Sequence, residues 1–253
     1  MKLKSAMSIA GYDPSGGAGV LNDIKTFTAL GVYGTAVITA ITAQNIYEVA
    51  DIIPVDPVFI EREIDLVLEQ EIIEYVKTGM LYSKDIVKCV SDKISDYGLK
   101  VVVDPVMVAG SGGFLSKRDF SKSLKKHLLA DAILTTPNIF EAETLSGIKI
   151  GNEDDAIDAA VKIGKLCNVV ITGGHLGGND IFYDGEIKII SGELIKTKNT
   201  HGSGCAYSSA ITAYLLRSYN LDDSIKKAGH FVRESIRNGY KGTLNQFWKL
   251  DKI

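Results

Sequence analysis

The stretch "SAMSIAGYDPSGGAGVLNDIKTFTALGVYGTAVITAITAQN", residues 5–45, decides the fold class of this chain. Its first seven residues predict a strand, and a glycine-rich loop then leads into apolar residues at helical spacing from Val20 to Leu30, closed by Gly31. Residues 34–45 are rich in β-branched residues and predict a second strand. A strand, a helix and another strand in this order are typical of a parallel sheet covered by helices.

The same alternation continues along the rest of the chain. The apolar run "KVVVDPVMV" at 100–108 lacks polar alternation, which predicts a strand buried on both faces. Asp184-Gly185 lies between two β-like runs and predicts a hairpin. The pattern as a whole predicts a doubly wound α/β fold, with a single domain over residues 1–253. Further strands are predicted at 73–80, 131–138, 168–174 and 180–190, and helices at 57–71, 83–98, 138–147, 154–167, 204–220 and 222–239.

Composition excludes several classes of function. The 253 residues are 45% hydrophobic and carry a formal net charge of −3, so no basic field points to nucleic acid or an anionic membrane. Cys89, Cys167 and Cys205 are far apart and form no CxxC pair, which argues against a disulfide framework and a structural zinc site. No apolar run approaches the length of a membrane span. We therefore expect a cytoplasmic protein.

The segment "NTHGSGC", residues 199–205, leads directly into a predicted helix. The backbone N–H groups of Gly202, Ser203 and Gly204 could hold an anion there and stabilise a phosphoryl group in transfer. Cys205 would lie in the first helical turn, where the field of the helix is expected to lower the pKa of a thiol and let it accept a proton. From this segment alone, a glycine turn beside a packed cysteine is an equally good reading. A nucleophile pair of Cys205 with His201 is less well supported, because glycines separate the two residues.

Other polar residues follow predicted strands, where ligands bind in this fold class. Asn138 and Glu141 stand three residues apart at a helix start, which suits Mg²⁺ held through water but suits a capping box better. Asp104 could help hold a metal or form a turn before a proline. The Gln44 amide suits an aminopyrimidine edge or an ordinary loop. The glycines of 173–178 could face phosphates or form a flexible connection, and the chain contains no Walker P-loop, kinase HRD or DFG set, or GxSxG elbow.

Taken together, these motifs resemble one family. The segments "SIAGYDPSGGAGVLNDIKTFTALGVYGTAVITAITAQN", "KTGML", "VVVDPVMVAGSG", "TPNIFEAE", "GGH" and "TKNTHGSGC" occur in the order seen in hydroxymethylpyrimidine/phosphomethylpyrimidine kinases of thiamine biosynthesis. That family belongs to the ribokinase superfamily, and the resemblance covers nearly the whole chain. It implies a ribokinase-like three-layer α/β/α fold with a mostly parallel central sheet, and a homodimer.

The resemblance also implies a reaction and its residues. ATP would phosphorylate 4-amino-5-hydroxymethyl-2-methylpyrimidine and then its monophosphate. Cys205 would be the base, at a position where most of the superfamily has aspartate, beside an anion hole of Gly202, Ser203 and Gly204. The substrate pocket would be formed by Gln44, Gly11, Asp23, Met80 and Val106. The MgATP side would be formed by Asp104, Asn138 and Glu141, which act through Mg²⁺ and its waters, together with Thr172, Gly174 and Thr200.

Two positions depart from the family pattern. Gly110 and Thr172 stand where the family often has lysine, and those lysines would approach phosphates or the loop over them. The departures bear on the second phosphorylation and leave the anion hole and metal residues intact. Two other functions are compatible with the same fold: a pyridoxine/pyridoxal kinase, and a non-catalytic pyrimidine sensor.

Overall fold

A single mixed sheet organises the molecule. The computed structural model describes residues 3–108, 119–174 and 177–250. In these ranges nine strands pair in the order β3-β2-β1-β4-β5-β6-β7-β8-β9. The six central strands are parallel, and antiparallel strands close both edges. The strands are β1 (Ser5–Tyr12), β2 (Tyr33–Gln44), β3 (Val49–Pro54), β4 (Ile73–Thr78), β5 (Lys100–Val103), β6 (Leu134–Thr135), β7 (Asn168–Ile171), β8 (Asp180–Tyr183) and β9 (Ile187–Ile190).

Helices cover both faces of this sheet. They are α1 (Gly19–Ala29), α2 (Pro57–Gln70), α3 (Lys84–Asp96), α4 (Phe120–Ser123), α5 (Ile139–Ser146), α6 (Glu153–Ile163), α7 (Ser203–Leu216) and α8 (Leu221–Arg237). A π-helical turn, Leu124–Leu128, and a 3-10 turn, Leu129–Asp131, continue α4.

The alternation of side chains along the strands produces two cores. Val101 and Val103 of β5 point to one face, where they join the core formed with α2, α3, α5 and α6. Val102, between them, points to the other face, where α1, α7 and α8 pack. Because both faces are covered, β5 is apolar without interruption after Lys100, as predicted. The three layers agree with the fold expected from the sequence.

Local sequence signals set most helix ends. Asp56 accepts a hydrogen bond from the Val58 N–H at 2.8 Å and caps α2, with Pro57 as its first residue. Ser83 caps α3 as predicted. The C-cap of α3 is Tyr97, one residue before the predicted Gly98, which follows it with a φ of +61°.

Two segments of the fold contain elements that were not predicted. β3 is an edge strand with little buried surface, so it lacks the apolar alternation by which strands are recognised. Residues 120–131 change from α to π to 3-10 geometry, and no regular periodicity survives such changes. The strand expected over 131–138 is only Leu134–Thr135. Within the described ranges, no helix is both long and apolar enough to cross a membrane.

Candidate active site

A cleft of about 380 Å³, measured to its open mouth, lies at the carboxyl ends of β1, β2 and β4. The first turn of α7 closes one side, because Cys205 is part of the lining. This is the end of a doubly wound sheet where ligands bind. The lining residues are Ala10, Gly11, Tyr12, Asp13, Ala18, Gly19, Thr42, Gln44, Lys77, Gly79, Met80, Val106 and Cys205.

Most residues predicted for the substrate pocket meet in this cleft. Gln44 enters from the end of β2, and Met80 follows β4. Gly11 packs closely against this methionine, because a Cβ at position 11 would lie 2.9 Å from the Met80 sulfur. Val106 contributes from the segment after β5. Four predicted residues from four separate segments thus share one cavity.

Asp23 is an exception, because it does not line the cleft. The residue is fully buried in α1, beneath the floor. Its carboxylate accepts hydrogen bonds from Ser8 at 2.6 Å and Ser209 at 2.8 Å. The same carboxylate forms an ion pair with Lys77, whose Nζ lies 3.0 Å from each of the two Asp23 oxygens. Asp23 therefore supports the floor, which differs from the prediction that it lines the pocket.

Lys77 is a residue of the site that was not predicted from the sequence. It is a fully buried lysine in β4, and it lines the cleft. Besides Asp23, its Nζ lies 3.7 Å from Asp104 Oδ2. Burial alone would lower the pKa of Lys77, but the charges of Asp23, Cys205 and Asp104 raise it above its usual value. A lysine inside an apolar parallel strand needs buried partners, and that is the sequence signal that could have revealed it.

Cys205 lies in the first turn of α7 and is half-buried. Burial raises the pKa of its thiol to about 12, although Lys77 and a hydrogen bond from the Gly19 backbone lower it. The expectation of a lowered pKa was therefore wrong. The cause is the cost of burying a thiolate, which outweighs the helix terminus and the lysine.

The turn before α7 has the form predicted for an anion site, with one difference. Gly202 has a φ of +83° and its carbonyl accepts the first helical bond, from the Ala206 N–H at 2.9 Å. The Ser203 N–H donates to Thr200 O at 3.1 Å and is therefore already engaged. Gly204 and Cys205 are in the first turn, where N–H groups have no acceptor within the helix. A Cβ at Gly204 would meet nothing within 4 Å, so the turn faces open space.

Asn138 and Glu141 form the capping box that their spacing favoured. Asn138 Oδ1 accepts from the Glu141 N–H at 3.0 Å, and Glu141 Oε2 accepts from the Asn138 N–H at 2.9 Å. Glu141 is also buried near Asp104. Burial and the Asp104 charge raise the pKa of Glu141 to about 8. Burial likewise raises the pKa of Asp104, although the positive charge of Lys77 acts in the opposite direction.

The predicted ATP-side residues lie outside the cleft. Thr172 follows β7, and its N–H donates to Pro137 O at 2.9 Å, which brings it beside Asn138. Gly174 is exposed, and a Cβ there would meet nothing within 4 Å. Thr200 is exposed beside the α7 turn. Gly110, the other departure from the family pattern, lies outside the described residues.

Two loops meet at the rim of the cleft. His201 Nε2 lies 2.8 Å from Asp13 Oδ2, which joins the turn before α7 to the loop after β1. Asp13 also accepts hydrogen bonds from Ser15 and from the Ala18 N–H. Burial alone would raise the pKa of Asp13, but these hydrogen bonds, led by that of His201, lower it to about 2. His201 is thus paired with Asp13, and no contact between His201 and Cys205 supports the nucleophile pair considered from the sequence.

Comparison with known proteins identifies the family. The family model for phosphomethylpyrimidine kinase matches residues 13–247. This chain belongs to that family.

Relatives of the kinase support this assignment. The hydroxymethylpyrimidine/phosphomethylpyrimidine kinase of Bacillus subtilis is 39% identical over 94% of this chain and 91% of its own length. The thiamine biosynthesis bifunctional protein of Geobacter sulfurreducens is 41% identical over 92% of this chain, which spans 49% of that longer protein. The chain is therefore a phosphotransferase with a ribokinase-like fold.

A solved structure of a different kinase has the same architecture. The pyridoxal kinase of Staphylococcus aureus in complex with AMP-PCP and pyridoxal has a TM-score of 0.88 and 30% identity, over 97% of this chain and 94% of that one. AMP-PCP is an ATP analogue, so this similarity and the family support ATP as a substrate of this kinase.

Proposed function

We propose that this kinase transfers the γ-phosphoryl group of ATP to 4-amino-5-hydroxymethyl-2-methylpyrimidine, and then to the resulting monophosphate, in thiamine biosynthesis. The observation that carries the proposal is the presence of Gln44 and Cys205 in one cleft, at the N-terminus of α7. An amide at one side can pair with an aminopyrimidine edge, and a thiol at the other can meet a hydroxymethyl group. Family membership supports the same substrate class.

The chemical step assigned to the chain is a proton transfer coupled to phosphoryl transfer. The substrate hydroxyl oxygen bonds to the γ-phosphorus, the bond to the bridging oxygen breaks, and ADP leaves with that electron pair. Cys205, as thiolate, accepts the hydroxyl proton. Lys77 favours the thiolate because its ammonium is held at the floor of the same cleft. The free N–H groups of the α7 turn face the charge that moves with the phosphoryl group.

Mg²⁺ is part of the proposal, and the residues present fit it. Asp104 and Glu141 are buried carboxylates that could serve as oxygen ligands, and burial together with the Asp104 charge raises the pKa of Glu141. The hydroxyl of Thr136, two residues before Asn138, is buried with no hydrogen-bond partner in the described part of the chain. The described residues contain no group of three or more metal-binding side chains, so most ligands would be waters and phosphates. When bound, the ion would neutralise phosphate charge, while Asn138 and Glu141 would orient its waters.

The test is a coupled ADP assay with the aminopyrimidine, its monophosphate and pyridoxal, on wild type, Cys205→Ser and Cys167→Ser. We expect Cys205→Ser to lower kcat about 100-fold or more, with little change in KM, because a serine hydroxyl is a poor base. Cys167, a half-buried thiol that does not line the cleft, provides the matched control and should keep full activity. Near-normal turnover by Cys205→Ser would reject Cys205 as the base.

Pyridoxal phosphorylation is a second candidate activity. It is favoured by the structural similarity to a pyridoxal kinase over nearly the whole of both chains. Pyridoxal also carries a hydroxymethyl group on a nitrogen heterocycle. A preference for pyridoxal of tenfold or more in kcat/KM, about 1.4 kcal/mol, would replace the pyrimidine as the proposed substrate.

We further propose that residues 1–253 form a single domain and that the kinase is a homodimer. Support for the dimer comes from the family resemblance and from an exposed apolar pair, Ile41 and Ile53, which are cross-strand partners at one edge of the sheet. Light scattering should give twice the mass of the chain, and calorimetry should give one unfolding transition. A monomer or two separate transitions would contradict the respective proposal.

A further inference from the structure

Asn22 joins two loops of the site and has no role in the reaction proposed above. It lies in α1 and is completely buried, although it is adjacent in sequence to Asp23 of the floor. Its Nδ2 donates to two backbone carbonyls, Gly17 O at 2.8 Å and Gly202 O at 2.7 Å. These carbonyls belong to two loops that are far apart in sequence, and Asn22 itself is 180 residues from Gly202.

The other end of the amide is also engaged. Asn22 Oδ1 accepts a hydrogen bond from Gln246 Nε2 and one from the Thr26 hydroxyl at 3.4 Å. Gln246 is itself buried, so the segment after α8 supports Asn22 from behind. Two carbonyl acceptors on one side and a donor on the other define a single orientation of the amide.

The two carbonyls are located where the site needs fixed geometry. Gly202 O is also the acceptor of the first hydrogen bond of α7, so its peptide group sets the start of the turn that carries Gly204 and Cys205. Gly17 O lies in the loop after β1, next to the cleft residues Ala18 and Gly19. One buried amide therefore fixes the distance between the two loops of the rim.

The packing between these loops leaves no room for adjustment. A Cβ at Gly202 would lie 1.8 Å from Gly17 O and 2.4 Å from Asn22 Nδ2. A Cβ at Gly17 would lie 2.2 Å from the His201 ring. The loops touch backbone to backbone, and Asn22 supplies the donors that two facing carbonyls require.

We propose that Asn22, supported by Gln246, is a positioning residue of phosphoryl transfer: it holds the turn at Gly202 in register with the loop after β1. The inference rests on the proposed role of that turn in stabilising the moving phosphoryl group. Asn22 does not line the cleft, so its loss should affect kcat far more than the KM of the alcohol.

The test compares Asn22→Asp and Asn22→Ala with Asn168→Asp. Asn168 is the matched control, because its Nδ2 also donates to a backbone carbonyl, Ile133 O at 2.9 Å, away from the cleft. We expect both Asn22 variants to lower kcat about 10- to 100-fold with KM changed less than about threefold, and Asn168→Asp to keep kcat. Thermal unfolding of all three measures any general loss of stability.

Two further readouts separate positioning from a merely structural role. Asn22→Asp places a carboxylate against two carbonyls, so its own protonation restores a donor. The kcat of Asn22→Asp relative to wild type should therefore recover as pH falls, whereas that of Asn22→Ala should not. Hydrogen exchange should be faster in residues 13–18 and 199–206 together in both Asn22 variants.

The exchange experiment needs no turnover, so it distinguishes failure of this inference from failure of the proposed function. In one outcome, wild type phosphorylates neither the pyrimidine nor pyridoxal, while exchange still rises in both loops of the Asn22 variants. That result would support the link between the loops through Asn22 and reject the proposed reaction. Unchanged exchange, or a kcat within about threefold of wild type in folded Asn22→Ala, overturns the inference. If Asn22→Asp does not fold, Asn22→Ala decides.

Discussion

The floor and the rim of the cleft are held by different interactions. The floor contains fixed charges in regular elements, with Lys77 of β4 between Asp23 of α1 and Asp104 after β5. At the rim, loops are joined by hydrogen bonds to backbone atoms, through Asn22, and by the pair Asp13–His201. Asn22 and Asp23 are adjacent in α1, but Asn22 holds the rim and Asp23 holds the floor.

Each region can supply something that the other cannot. Buried charges are held rigidly and act strongly on a nearby thiol. If one partner of a buried pair is lost, the remaining charge lowers the stability of the folded protein. Loops joined through their backbones can present N–H groups to a phosphate, but they depend on glycine where chains touch. We therefore expect damage to the floor to affect stability and chemistry together, and damage to the rim to affect mainly the chemistry.

The largest effect should come from Lys77→Met. Removing the ammonium leaves Asp23 buried without its cation, which should lower the free energy of unfolding by about 3–5 kcal/mol. We also expect kcat to fall about 100-fold, because Cys205 loses the charge that favours its thiolate. Chemical denaturation and steady-state kinetics measure the two effects.

Two variants sharpen that result. The double variant Asp23→Asn/Lys77→Met removes both charges and should recover much of the stability without recovering activity. Lys93→Met breaks a partly exposed ion pair with Asp65 and should cost about 1 kcal/mol or less. Normal activity in a folded Lys77→Met protein would show that the floor charge plays no part in the reaction.

A smaller effect is expected from Gly202→Ala at the rim. The left-handed backbone disfavours alanine by about 1–2 kcal/mol, and the methyl group would collide with Gly17 O. The turn must shift, so kcat should fall at least about tenfold. Gly98→Ala is the control, because its φ is +61° with nothing within 4 Å of the added carbon. Equal kinetics for the two variants would contradict a special role for the Gly202 turn.

The smallest effect on turnover is expected at Asp13, whose charge should instead make stability depend on pH. Its folded pKa of about 2 lies below the ordinary value of 3.8, so the ionised form stabilises the folded protein above about pH 4. That contribution, about 2 kcal/mol, is lost as pH falls toward 2. Denaturation at several pH values should show Asp13→Asn less stable than wild type at pH 6, with a smaller difference at pH 3. The exposed Asp96→Asn is the control, and a constant difference for Asp13→Asn would refute the assignment.

Much of the site could be predicted from single segments. Gln44, Met80, Val106 and Cys205 come after strands or at a helix start, and the carboxyl ends of parallel strands meet at one edge. The capping box of Asn138 and Glu141 follows from spacing alone. Family resemblance, rather than spacing, supplied the roles assigned to these residues.

The remaining features depend on contacts between distant segments. Asp23 was predicted in the pocket but lies under it, because its partner Lys77 comes from another strand. The pKa of Cys205 was predicted from its helix position, yet burial by surrounding segments reverses the direction. Neither outcome is visible in local sequence, because burial is a property of the whole packed structure.

Local sequence was enough to determine the order of most strands and helices, the edge of the sheet that carries the site, and the glycine turn before α7. These follow from periodicity, from β-branched runs and from residues that cap helices or permit turns, which act over a few residues. Tertiary structure alone decided which polar groups became partners: Lys77 with Asp23, Asn22 with Gly17 and Gly202, and Asp13 with His201. The reason is physical, because a buried polar group must find a partner in space, and that partner can come from any part of the chain.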